Sequence, residues 1–338
     1  MSDSLPLDSL ADRQTSMAAP VSVAVLGVGL VGSAFLRQLA ALQSSAPAGI
    51  ATIALVHAQT SKRGTPIPPS SSSLTPLQPT HLSLTGPALT HEALIAHLTA
   101  VSGTGGGKKV VVDNTSSEEV ARWYPALLRA GISVITPNKK AFSGPLSLYT
   151  DILSASASGG PGVCALHEAT VGAGLPIIQT LNDLVQTGDT VSRIEGVLSG
   201  TLSYIFNEFS PASSGSSSEK PKTFSSIVSQ ARAAGYTEPH PADDLSGTDV
   251  ARKLTILSRL IPQLSSALPD GYASVSIASL VPKELEGVDT GDEFVRRLEE
   301  FDGYFEGLRK DADAEGSVLR YVGVVDVEKG SVRAALEK

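Results

Sequence analysis

The sequence predicts an α/β protein in two parts, on three observations. A short β-branched strand runs directly into a glycine turn and an apolar-faced helix, strands and helices then alternate through the first half, and the second half adds further strands and helices around an acidic loop. A length of 338 residues suggests two domains at about 150 residues each. The pattern divides the chain into an arm over 1–20, a first domain over 21–160 and a second over 161–338.

Composition narrows the class. Hydrophobic residues make up 41% of the chain, ample for a packed core, and no apolar run approaches the ~20 residues a bilayer span needs. The opening "MSDSLPLDSLADRQTSMAAP" is polar and acidic, with neither the basic start and apolar run of a signal peptide nor the arginines of a transit peptide. It reads as a disordered arm. One cysteine, Cys164, excludes an internal disulfide framework and fits a reducing, cytoplasmic setting. A net charge of −8 without a basic stripe argues against nucleic acid as a partner, and the apolar pattern argues against a membrane.

The strand Val21–Leu26, "VSVAVL", is followed by "GVGLVG" and then by "SAFLRQLAAL", apolar at helical spacing through Phe35, Leu36, Leu39 and Leu42. Strand, G-x-G-x-x-G and helix in this order form a Rossmann-type dinucleotide fingerprint. Gly27 makes the tight turn, Gly29 lets the backbone approach a pyrophosphate, and Gly32 lets helix and strand pack closely. The loop Gly27, Val28, Gly29, Leu30, Val31 and Gly32 thus delivers the anion to unsatisfied N–H groups and the helix dipole. A second strand over Ile50–His57 ends without the acid that would bind a ribose 2′-hydroxyl. No Asp or Glu lies between Gly32 and Glu92, and Lys62 and Arg63 follow the strand. NADP is permitted, and use of NADP or NAD is the expectation.

Gly64–Thr80 and Gly103–Gly107 read as surface loops. The alternation resumes with a strand at Lys108–Asp113, a helix at Glu118–Ala130 and a strand at Ile132–Thr136. Strand ends form the ligand crevice of an open parallel sheet, so Asn114, Thr115, Ser116 and Lys139 are expected at the cofactor. Thr115–Ser117 with "EE" also fits a helix cap, and the two roles are compatible.

In the second half, "VCALHEATVGAGLPIIQTL" begins as a strand and becomes a helix, "VSRIEGVLSGTLSYIFNEF" is strand, turn and helix, and Ser210–Lys222 is a low-complexity loop. Thr223–Ala234 is a helix with Gly235 as its C-cap. Then comes "GYTEPHPADDLSGTDVARK", which concentrates Glu238, Asp243, Asp244 and Asp249 in a chain only 18% charged. Val250, Leu254, Leu257 and Ile261 give a helix over Gly247–Ile261 a buried stripe. Asp249 and Lys253, four apart, share a face at its edge. A lysine there can be partly desolvated, which lowers its pKa, and lies beside carboxylates, which raise it; the balance decides whether it exchanges a proton near neutral pH. The acids need a cation: a substrate ammonium, Lys253, Lys139 or Arg252. The plain alternative is a solvated acidic loop with a surface ion pair.

Together "GVGLVGSAFL", "VDNTSS", "TPNKKAFS", "HEATVGAGLPII", "IEGVLSGTLSYIFNEF" and "GYTEPHPADDLSGTDVARK" resemble homoserine dehydrogenase in its short fungal form, in family order from about residue 21 to the end. With no aspartate-kinase domain ahead of the matches, the chain resembles the monofunctional type. The resemblance implies an α/β fold: a Rossmann-type dinucleotide-binding domain plus an α+β substrate/dimerisation domain, the latter pairing as a homodimer. It implies interconversion of L-homoserine and L-aspartate 4-semialdehyde with NAD(P), in threonine and methionine biosynthesis. It makes Lys253 the general acid/base with Lys139 and Asp249 beside it, and Glu238, Asp243, Asp244, Asp249, Thr201 and Lys139 the substrate contacts. It also implies a sodium ion at Glu168, Val171, Ala173 and Leu175, held mostly by backbone oxygens; only Glu168 has a side chain suited to a hard cation. Family members continue past "LRYVGVVDVEKGSVRAALEK" into a further strand, a Gly/Ala-rich turn and a final helix that return to the nucleotide domain, so the resemblance leaves open whether a polypeptide ending at Lys338 has a complete cofactor site.

Three rival readings stand beside this one. A thiohemiacetal-forming aldehyde dehydrogenase needs a reactive thiol, but Cys164 sits at apolar strand spacing, where a buried inert thiol is expected. A dinucleotide-sensing module would bind cofactor without turnover. A zinc enzyme lacks support, since the six histidines show no ligand spacing. Val163–His167, Arg193–Leu198 and Leu319–Val327 are expected to share one sheet of the second domain.

Overall fold

A computed structural model describes residues 21–45, 53–67, 83–101, 107–212 and 221–338. The N-terminal arm, the start of the strand expected from Ile50, most of the loop to Thr80, the glycine run and the middle of the Ser210–Lys222 loop lie outside these residues. The chain forms two compact units. The first holds residues up to Asn138 and Asp151–His167, and the second holds Lys139–Thr150 and Glu168–Lys338.

In the first unit, β1 (Val21–Leu26), β2 (Ile53–Gln59), β3 (Arg63–Pro66), β4 (Gly86–Pro87), β5 (Lys108–Asp113), β6 (Ile132–Ile135) and β7 (Ala165–Leu166) make one sheet, ordered β4-β3-β2-β1-β5-β6-β7. The five strands from β2 to β7 run parallel, while β3 and β4 add on antiparallel. Helices α1 (Leu30–Ser44), α2 (His91–Val101) and α3 (Glu118–Arg129) are the crossovers a parallel sheet requires. Strand β1 is central and buried from Ser22 onward, with Val23, Val25, Leu36, Leu55 and Val112 forming one cluster. Each fully buried side chain of this size contributes about 1.5–3 kcal/mol.

Four expectations are corrected here. Gly64–Pro66, the start of the expected loop, belongs to β3, which turns back on β2 in a hairpin closed by Thr60, whose N–H donates to Arg63 O at 2.8 Å. Leu42 is 58% exposed, and Ala40 takes the inward place after Leu36 and Leu39, because 100° per residue carries position 42 off the stripe. Val163–His167 does not join a sheet of the second unit; β7 pairs parallel with β6, and Val134 N–H donates to Cys164 O. Cys164 itself is half-buried rather than buried.

Helix α4 (Lys140–Ser143) opens the second unit, and α5 (Leu146–Ser158) starts in that unit and ends in the first. There follow α6 (Ile177–Gln186), β8 (Arg193–Gly196), α7 (Gly200–Phe209), α8 (Phe224–Ala233), α9 (Ala242–Leu245), α10 (Thr248–Leu260), β9 (Ser276–Ile277), α11 (Gly291–Leu298), α12 (Asp302–Ala314), β10 (Arg320–Asp326) and β11 (Ser331–Glu337). The sheet is ordered β8-β10-β11-β9, antiparallel except for β11 with β9. The α10 stripe packs on it: Val250, Leu254, Leu257 and Ile261 are all buried, and Gly323 on β10 leaves the room that Val250 and Leu254 fill. Four phenylalanines, Phe206, Phe209, Phe224 and Phe305, form a second centre, with Phe224 and Phe305 stacked at 3.8 Å. No helix among the described residues is long and apolar enough to cross a membrane.

Candidate active site

The acidic loop and α10 meet in a cleft of about 1020 Å³ within the second unit. It is lined by Thr201 at the start of α7, Glu238 in the loop, Asp243 and Asp244 on α9, Asp249 and Lys253 on α10, and Lys139 just before α4. Every residue expected at the substrate is therefore in one place. The helix starts account for much of this. Ser199 caps α7, its hydroxyl accepting from Leu202 N–H, which fixes the Ser-Gly-Thr turn. Gly247 starts α10 at φ 74, and a Cβ there would meet the buried Tyr321 hydroxyl at 2.0 Å, so only glycine turns the chain from α9 into α10.

Lys253 is the best-held group. Its Nζ lies 2.7 Å from Asp249 Oδ2 and donates to Leu198 O at 2.6 Å, with only 16% of the side chain exposed. Lys139 Nζ lies 3.3 Å from Asp249 Oδ1. One carboxylate thus bridges two ammonium groups that are far apart in the chain. Burial works to raise the Asp249 carboxyl, but the charges and hydrogen bonds of Lys253 and Lys139 outweigh it and hold it below the ordinary carboxylate range. Asp244 goes the other way. Burial raises it, the Glu238 N–H (2.8 Å to Oδ2) and the Thr201 hydroxyl pull it down, and neighbouring Asp249 and Asp243 push it up again, leaving it raised. Thr201 Oγ1 also lies 2.7 Å from Tyr236 O, so its single proton is shared between that carbonyl and Asp244 as alternative acceptors. The cleft thus gathers Lys139 and Lys253 with four carboxylates, of which Glu238, Asp243 and Asp244 make no ion pair among the described residues, a composition suited to a ligand carrying an ammonium group.

Sequence reasoning missed Tyr204 and Tyr236, which line the same cleft and pack edge to face at 4.9 Å, and Lys140, Ser199, Ser246 and Thr248. The adjacency of Lys140 to Lys139 in "PNKK" was the available signal; nothing in the spacing of Tyr204 and Tyr236 predicts their contact.

In the first unit, the glycine turn fits a dinucleotide. Gly27 has φ 86, and its N–H donates to Gln59 O at 2.8 Å. A Cβ on Gly32 would sit 2.0 Å from Gly27 O, whereas one on Gly29 would meet nothing within 4 Å. That open side is where a pyrophosphate backbone can approach, in front of a fifteen-residue helix whose N-terminus has no side-chain cap. Leu30 and Val31 are exposed there. Asn114, after β5, has a buried Nδ2 without a hydrogen-bond partner, the kind of orphan a bound polar ligand satisfies. Thr115 is held by its N–H on Asp113 Oδ1 (2.8 Å), Ser116 is exposed, and Ser117 caps α3. Behind them Asp113 is fully buried and accepts also from Tyr124 OH and Asn138 Nδ2, a support the sequence did not single out.

At the expected sodium site, both Glu168 carboxylate oxygens accept α6 amides, Ile178 N–H at 2.8 Å and Gln179 N–H at 2.9 Å. Gly172 (φ 79) and Ala173 (φ 53) make a left-handed turn, and Leu175 O accepts from Ile177 N–H. Among the described residues no cluster of three or more His, Cys, Asp or Glu side chains could hold a metal ion.

The family model described as homoserine dehydrogenase, NAD binding domain, matches residues 27–164, and the one described as homoserine dehydrogenase matches residues 176–338. A homoserine dehydrogenase of Emericella nidulans is 46% identical over 328 residues, covering 95% of this chain and 85% of that protein. A crystallised Candida auris protein of unknown function superposes with a TM-score of 0.82 at 40% identity, over 95% of this chain and 84% of that one. A hyperthermophilic archaeal homoserine dehydrogenase, solved in complex with NADPH, shares the fold at a TM-score of 0.62 and 19% identity, over 94% and 82% of the two chains. A nucleotide turn in one unit, a lysine–carboxylate cleft in the other and matches spanning both place this chain in the homoserine dehydrogenase family, whose members are NAD(P)-dependent oxidoreductases.

Proposed function

We propose that the cleft of the second unit interconverts L-aspartate 4-semialdehyde and L-homoserine, with Lys253 as the general acid/base. One observation carries the reading: a lysine ammonium anchored at two points, by Asp249 and by the Leu198 carbonyl, in a cleft also lined by Glu238, Asp243 and Asp244. In the reducing direction Lys253 Nζ gives a proton to the oxygen forming at C4 of the substrate, and in the oxidising direction it takes the proton back. Asp249 keeps that ammonium oriented and shares its charge with Lys139, which contributes a second positive group to the developing oxyanion. Glu238, Asp243 and Asp244 attract the substrate ammonium, and Thr201 orients the substrate beside them. Positioning of this kind supplies much of the rate.

A bound nicotinamide cofactor supplies or accepts the hydride. Gly27, Gly29, Gly32, Asn114 and Thr115 are the residues that would hold it. NADP is supported by the missing acid at the end of β2, by exposed Lys62 and Arg63 in the following hairpin, and by analogy with the archaeal relative. Glu168, Val171, Ala173 and Leu175 remain the proposed sodium ligands, and a homodimer the proposed assembly. Homoserine-dependent reduction of NAD and NADP, measured side by side, tests the reading. Binding of either nucleotide with no homoserine turnover would favour a sensing module instead.

A further inference from the structure

Arg259 has no part in the chemistry above, yet the residue is only 4% exposed, and among the described residues no carboxylate forms an ion pair with it. A buried cation without an anion is costly, so its contacts call for a reason. Its Nη1 donates to Phe142 O at 2.7 Å and its Nη2 to Gly144 O at 2.5 Å, and the group lies 5.1 Å from the centre of the Tyr149 ring. A guanidinium's rigid planar fork holds the two carbonyls in fixed directions, a geometry that a lysine ammonium on its flexible stem does not reproduce. Seven residues earlier, on the same face of α10, Arg252 lies 3.7 Å over the Tyr272 ring and donates to Ser143 Oγ at 3.1 Å. Ser143 Oγ in turn donates to Lys139 O at 2.8 Å. Beneath this segment Gly271 leaves no slack, since a Cβ there would stand 2.1 Å from Gly144 O and 2.3 Å from Ser143 O. Helix α10 therefore grips residues 139–144 at three heights: Asp249 on the Lys139 ammonium, Arg252 through Ser143, and Arg259 on the last carbonyls.

We infer that Arg259 is a positioning residue for Lys139: by fixing the carbonyls of Phe142 and Gly144 it sets how the Lys139 ammonium meets Asp249. The inference rests on the proposed role of Lys139 in the cleft. Small displacements of such a group cost up to about 100-fold in rate. Residues acting through one another also show non-additive effects.

The test uses the full chain with three variants, Lys139→Ala, Arg259→Lys and the double, comparing homoserine-dependent kcat, cofactor KM and melting. Arg259→Lys keeps the charge and most of the stem, so folding is retained where Arg259→Met could fail. The expected result is a loss in kcat of roughly 10- to 100-fold for Arg259→Lys, with cofactor KM and melting near the parent. In the Lys139→Ala background the same change adds little. If turnover there is too low to measure, the pH profile of kcat/KM decides: loss of position displaces its apparent pKa, whereas a packing defect scales the rate equally at every pH. Unchanged kcat in Arg259→Lys, or the same factor lost in both backgrounds, overturns the inference while leaving the proposed function intact. Full turnover in Lys139→Ala alone removes the premise, and the inference falls with it.

Discussion

Replacing Lys253 by Met removes one ammonium and keeps an unbranched apolar stem where only 16% of the side chain is exposed. Two partners are stranded. Leu198 O loses a charge-assisted donor, worth about 1.5–3 kcal/mol, and half-exposed Asp249 loses one of its two cations, worth no more than about 1 kcal/mol. The structural loss is thus a few kcal/mol at most, and melting should fall by a few degrees. The chemical loss is larger: general acid catalysis contributes about 10²- to 10⁴-fold, or ~3–5 kcal/mol of barrier. The assay is steady-state turnover in both directions with NADP titrated separately. The expected result is kcat down by two or more decades, nucleotide affinity unchanged, and partial recovery in Lys253→Ala when a small primary amine is added. Turnover close to the parent's, or loss that follows loss of fold, would refute the assignment of the proton to Lys253.

Other outcomes follow from the same geometry. The Asp244 carboxyl is raised in the folded state, so folding is penalised as pH rises past the ordinary carboxylate pKa; Asp244→Asn should melt higher than the parent at neutral pH while the KM for homoserine increases. Asp249 is lowered, so its contribution to stability is complete above about pH 4 and disappears as pH falls through the lower folded value; acid unfolding of Asp249→Asn should lack that component. Gly29→Ala adds a methyl group into open space and should leave melting unchanged while weakening NADP binding, whereas Gly32→Ala, 2.0 Å from Gly27 O, should lower both.

The parts of this molecule that periodicity governs were readable without coordinates. Strand β1, the glycine turn and the buried stripe of α10 follow from local pattern, because each is a run of side chains obeying one repeat. The bridging of Asp249 by Lys139 and Lys253 was only half readable. The i, i+4 spacing placed Lys253, but the second ammonium comes from a segment more than a hundred residues earlier, joined by tertiary contact alone. The assignment of Val163–His167 to the wrong sheet has the same origin, since a two-residue strand carries no mark of its neighbours. Arg259 was invisible for a different reason: its partners are main-chain carbonyls, which every sequence supplies everywhere.

The excursion of Lys139–Thr150 into the second unit bears on any attempt to dissect the protein. A fragment cut to begin at Glu168 would look like a tidy half of the gene, yet it would omit the six residues that α10 grips. Its Arg259 would be left with a desolvated charge and no carbonyls to meet. Such a piece can be made whole only by grafting 139–150 back, for instance through a rearranged chain order, and the homologous exchange of halves between relatives faces the same constraint.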